Sequence, residues 1–192
     1  MIRRRSLSNR KTMDSRLERI KLLSRLNREK STTPALLRTL SEVLGIPVEE
    51  SSVLDPVRTD ALSTEFRTGY SDAKERGSSL SYSRFFDRNQ LASVISIAEG
   101  LAQQLKAEDV FLLTKFEGDP RGLVLNAADV FSRADSVIQF DGDSLSVLSK
   151  DHSQGVLIDH NPDDSEQTYE MTVWGDRWPL VVLARDRGFP QR

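Results

Sequence analysis

Along the first half of the chain, apolar residues recur mainly at helical spacing. Along the second half they fall mostly into short runs. Leu17, Ile20, Leu23 and Leu26 step by three through a segment that also carries Arg16, Arg19, Lys21 and Arg25, and they predict a helix from Asp14 that either docks or stays exposed. Leu36, Leu37, Leu40, Val43 and Leu44 make a wider apolar face and predict a second helix over 34–44. Thr33-Pro34 reads as its start, because the threonine hydroxyl can cap and a first-position proline lacks only an N–H that no helical bond uses. Gly45 suits a left-handed C-cap, and Pro47 prevents continuation. Leu62, Phe66 and Tyr70 predict a polar helix from Asp60 to Lys74. Gly77-Ser78-Ser79 breaks the chain, and Phe85 and Phe86 are expected to anchor on the core. The strongest pattern lies over 89–106, where Leu91, Val94, Ala98, Leu101 and Leu105 recur at steps of three and four behind a cap at Asp87 or Asn89.

After Asp109 the period changes. Val110-Phe111-Leu112-Leu113 is a continuous apolar run, as expected of a central strand covered on both faces. Glu117-Gly118-Asp119-Pro120 reads as a turn, residues 122–125 as a strand or extended lead-in, and Asn126 as the cap of a short helix through Val130 and Phe131. Val137, Ile138 and Phe140 predict a strand, and Asp141-Gly142 a hairpin leading into Leu145, Val147 and Leu148. Residues 155–158, the alternating run 169–174 and Leu180–Leu183 predict three more strands. Helices followed by a meander define an α+β class, with a helical N-terminal half packed on a C-terminal antiparallel or mixed β-sheet. The expected organisation is a basic disordered tail at 1–12 and one domain over 13–192, helical through 106 and β-rich over 107–185.

Charge changes this picture. The 192 residues sum to −2, yet residues 107–174 hold fourteen Asp or Glu against four Lys or Arg, and residues 1–30 hold eleven Lys or Arg against three acids. The balances are 4 − 14 = −10 and 11 − 3 = +8. The absence of cysteine excludes disulfides, zinc–thiolate sites and a thiol nucleophile. No run approaches the roughly 18 apolar residues of a membrane helix. The opening MIRRRSLSNRK has the charge of a signal peptide, but Asp14, Arg16, Glu18 and Arg19 interrupt any apolar region after it. A cytoplasmic protein is expected, with an organellar transit peptide as the minor alternative.

Candidate chemistry is sparse. His152 and His160 are separated by eight residues across an apparent strand, which places them about 26 Å apart at 3.3 Å per residue, too far to share a metal. Asp141-Gly142-Asp143-Ser144 opens like a calcium loop, but its glycine stands at position two and His152 at position twelve. Residues 40–54 have helix-turn-helix spacing, but their second helix would present Glu49 and Glu50 to phosphates. No phosphate loop, nucleophile elbow or dinucleotide fingerprint occurs. Neither catalysis nor a cofactor is expected.

One resemblance agrees with the charges. Ser149, Asp151, Gly155 and Asp159, followed by Tyr169, Trp174 and Gly175, lie in a succession that resembles the distal part of small bacterial immunity proteins from polymorphic-toxin and contact-dependent growth-inhibition systems. It covers roughly residues 108–178. It implies a non-catalytic cytoplasmic inhibitor whose partner is the C-terminal domain of a cognate toxin, often a nuclease with a basic substrate groove. The basic N-terminus departs from that expectation. The contact candidates are Asp141, Asp143, Asp151, Asp159, Asp163 and Asp164, with Trp174 and Trp178 as aromatic anchors or, alternatively, core residues. The other readings are a nucleic-acid-associated regulator using the basic N-terminus and residues 34–54, and an enzyme with its site around His152 and His160.

Overall fold

The computed structural model describes residues 5–76, 81–142, 144–160 and 169–186. Its strands are β1 (Ser81–Phe86), β2 (Asp109–Phe116), β3 (Asp119–Asn126), β4 (Ser144–Ser149), β5 (Gly155–His160) and β6 (Tyr169–Trp174). They form one sheet in the order β1-β6-β5-β4-β2-β3, and each neighbouring pair is antiparallel. The helices are α1 (Arg5–Leu44), α2 (Pro56–Arg76), α3 (Leu91–Gln104), α4 (Ala127–Phe131), α5 (Ala134–Asp141) and α6 (Trp178–Asp186). The fold is α+β, as its order of patterns predicts.

Strand alternation divides the apolar residues between two faces. Val110, Leu112, Leu123, Leu125, Leu145, Val147, Val156, Ile158, Met171 and Val173 form the larger core with α1 and with α3 to α6. Phe111, Leu113, Leu148 and Trp174 face the other way and pack with Leu54 and with Leu62 and Phe66 of α2. Strand β2 is therefore covered on both sides, which explains the unbroken run Val110–Leu113. The β2–β3 hairpin turns through Glu117 and Gly118, both at positive φ.

Several local expectations need correction. Helix α1 is continuous from Arg5 to Leu44, so Thr33-Pro34 is interior and not a start, and the backbone is helical across the expected boundary at residue 12. Pro34 removes one backbone donor, and the hydroxyls of Ser31, Thr32 and Thr33 turn back onto carbonyls of Arg28 and Glu29. Body contacts hold the helix on either side of this weak point: Arg25 to Asp60 and Arg28 to Asp119 upstream, and buried Leu36, Leu40 and Leu44 downstream.

Val137, Ile138 and Phe140 belong to helix α5 and not to a strand. Ala134, Val137 and Ile138 bury at i, i+3 and i+4, and Gly142 at φ 90 is a helix C-cap where a hairpin was expected. Residues 180–183 lie in helix α6, which buries Trp178 and Val182 at i and i+4. Phe86 is a core residue, but Phe85 is 64% exposed. Residues 48–54 contain one 3-10 turn at Glu50–Ser52 before α2 begins at Pro56, so the expected second helix of a helix-turn-helix is not there.

Candidate functional site

Antiparallel register sorts the candidate residues to two ends of the sheet. At one end β2 turns into β3, β4 and β6 begin, and β5 finishes. Asp159 pairs in register with Ser144, and the Ser144 hydroxyl donates to Asp141 at 2.7 Å. The same end carries Glu117 in the hairpin turn, Asp119 opening β3 and Glu170 in β6. At the opposite end lie the β4–β5 loop with Asp151, and Trp174 closing β6.

Asp141 and Asp159 are thus brought together, and Asp151 is not. Asp143, Asp163 and Asp164 lie outside the described residues. Asp159 and Glu117 are exposed, while Asp119 and Glu170 are half-buried. Asp119 lies 3.3 Å from Arg28, and Glu170 pairs with Lys74, whose ammonium it holds above the usual lysine range. The acidic second half is therefore partly neutralised by cations from the first half, and Lys115 adds a further exposed cation at this end.

Asp141 is half-buried and committed inside the fold. One oxygen accepts from the Thr114 hydroxyl at 2.5 Å and the Lys115 backbone N–H at 2.6 Å, and the other accepts from Ser144. The carboxylate ties the end of α5 to the ends of β2 and β4, so its first role is structural. Asp151 is also committed locally. Its carboxylate accepts from the Ser149 hydroxyl at 2.6 Å and from the Ser153 N–H at 3.1 Å, and these bonds hold it below the ordinary aspartate range, the serine hydroxyl contributing most.

The tryptophans are core residues and not surface anchors. Trp178 is 0% exposed and meets Phe131 edge-on at 5.9 Å between ring centres. Trp174 is 7% exposed, with Phe66 at 5.1 Å and 68°. A Cβ on Gly155 would stand 2.1 Å from Trp174 Cζ2, and one on Gly69 would stand 2.5 Å from its Nε1. Gly175, at φ +105, adopts a backbone that favours glycine and lets the chain pass Gln154. The Gln154 side-chain oxygen then accepts from the N–H groups of Arg177 and Trp178 at 2.9 and 2.8 Å, at the start of α6. Ser149, Asp151, Gly155, Trp174 and Gly175, read above as a resemblance, thus build one structural joint between loop, sheet and α6.

The histidines lie at the two ends of β5, as their spacing requires. His152 pairs with Glu65 and meets the Phe111 ring edge-on; His160 stacks on Tyr169 at 4.5 Å. Among the described residues, no group of three His, Asp or Glu side chains is placed to hold a metal, and no helix is long and apolar enough to cross a membrane.

Sequence reasoning missed a buried cation. Arg121 of β3 is 2% exposed beneath α1, where it donates to the Thr32 hydroxyl and faces Glu29 at 3.6 Å. Burial lowers its pKa, and the Glu29 charge opposes that shift. The alternation of β3 was the available signal, since Arg121 shares its face with Leu123 and Leu125.

No protein-family model matches the chain, and neither a curated protein nor a solved structure matches it.

Proposed function

We propose that this chain is an immunity protein that binds a cognate toxin domain in the cytoplasm and neutralises it by occupancy, without catalysis. The observation that carries the reading is that Glu117, Asp119, Asp141, Asp159 and Glu170 all lie at one end of the sheet, with Asp159 and Glu170 in direct register. These carboxylates come from a hairpin turn, three strands and a helix end, so the fold brings together charges that are far apart in sequence. Hydrogen bonds fix Asp141, and ion pairs fix Asp119 and Glu170, which lowers the ordering cost on binding. Glu117 and Asp159 are the exposed members of the group.

Such a surface suits a basic groove. A nuclease that binds phosphates presents one, and a carboxylate cluster occupies it in place of substrate. Complementary charge raises the association rate at low salt and repels nucleic acid.

Co-expression with the C-terminal domain of the toxin encoded beside this gene tests the reading. Growth should be restored and the two chains should co-purify. Failure of both would sink the immunity assignment. Asp141 is unsuitable for a charge-reversal test, because its replacement also breaks three internal hydrogen bonds. The informative variant is Glu117→Lys, at an exposed turn residue.

A further inference from the structure

Eight large apolar side chains are exposed among the described residues, and five of them, Leu17, Ile20, Leu22, Leu23 and Leu26, fall within ten residues of α1. Every side chain from Arg16 to Ser24 is exposed. Among the described side chains of α1 the first to bury is Glu29, beneath which Arg121 lies. The helix continues back to Arg5, so residues 5–24 form a helical extension about 30 Å long at 1.5 Å per residue.

We infer that this extension is a second docking surface, and that its occupant is an acidic protein whose groove encloses the helix. Three observations choose that occupant. The first is charge: the exposed stretch 16–24 carries Arg16, Arg19 and Lys21 against Glu18, a balance of 3 − 1 = +2 set among the exposed leucines.

The second is the width of the apolar surface. Residues three apart are rotated by about 60° on a helix of 3.6 residues per turn, so Leu17, Ile20, Leu23 and Leu26 wind round it and do not line one seam. With Leu22 they span an arc of about 220°, inside which Arg16 and Arg19 also fall. A flat lipid surface takes one face, and here it would drag two guanidinium groups into the acyl region. A groove takes more than half the circumference and can place carboxylates opposite those arginines.

The third is the leucines themselves. Binding nucleic acid phosphates calls for the cations but leaves five exposed apolar side chains without a role.

This surface does not depend on the immunity reading, and a basic toxin is the wrong partner for it. The test is a photo-cross-linking residue placed at Ile20 of the full chain, in cells that carry the gene, with the adduct identified by mass spectrometry. The expected result is an adduct with an identified acidic protein. Its yield should fall by about tenfold or more in Leu17→Glu/Leu23→Glu and in Arg16→Ser/Arg19→Ser/Lys21→Ser, because the loss of two buried contacts or three ion pairs exceeds one decade in affinity. Both variants should keep the wild-type melting temperature, since these side chains are exposed on α1. An adduct with lipid, with nucleic acid, with a basic protein or with a second copy overturns the inference. So does the absence of an adduct, or one that both variants leave unchanged.

Discussion

Gly155 has no side chain because the indole of Trp174 fills the space that one would need. Gly155→Ala should therefore destabilise the fold by about 1–3 kcal/mol through overpacking, read as a fall of several degrees in the thermal midpoint. An unchanged midpoint would mean that the joint between β5, β6 and α2 is loose. The next residue-scale prediction concerns Asp151. Its folded pKa is depressed chiefly by the Ser149 hydroxyl, so its contribution is present above the ordinary aspartate value and is lost as pH falls through the folded one. Ser149→Ala should raise the Asp151 pKa toward the ordinary value in a carbon-detected NMR titration. Residue identity announced the glycine and the tryptophan but not their contact, since Gly155 and Trp174 are joined only by the pairing of β5 with β6. For the same reason Asp141 looked like a surface charge. Thr114 and the Lys115 N–H are brought to it by the fold and not by sequence proximity.

Elements with a long, clear period were legible. Helix α3, the burial of β2 on both faces and the Asn126 cap of α4 follow directly from residue spacing. Short apolar runs were not. Val137–Phe140 and Leu180–Leu183 suit a strand or a buried helix turn, and tertiary packing on the larger core decides for helix. Pro34 misled for a different reason. Its local chemistry favours a helix start, but contacts on either side of it keep α1 continuous.

The contact of α1 with β3 yields an element-scale prediction. Glu29→Gln removes the charge 3.6 Å from the buried Arg121, leaving Asp119 and Glu117 as the acids that act on it, and should cost about 1–3 kcal/mol in chemical denaturation. Glu29→Leu combined with Arg121→Met should recover most of that loss, because two apolar groups replace a desolvated ion pair. Equal losses for the Glu29→Gln single variant and the Glu29→Leu/Arg121→Met pair would show that the ion pair is not what links α1 to the sheet.

At the scale of the whole molecule, the two opposed charges of the sequence become a partly self-neutralised body and an exposed basic extension. Arg28 with Asp119 and Lys74 with Glu170 join the basic half to the acidic half across the fold. The charge left exposed is smaller than the sequence balance of −10 suggests, and Glu117 and Asp159 are exposed acids at one sheet end. The spatial grouping of Asp141 with Asp159 was invisible in the sequence, because strand order and register determine it. The assignment of that end to toxin neutralisation is the central claim. Calorimetric titration of the purified chain into the adjacent toxin's C-terminal domain tests it most directly. The expected result is a one-to-one complex of about nanomolar affinity, weakened on the order of tenfold by Glu117→Lys and further by high salt. No detectable heat and no complex, with both proteins folded, would contradict it.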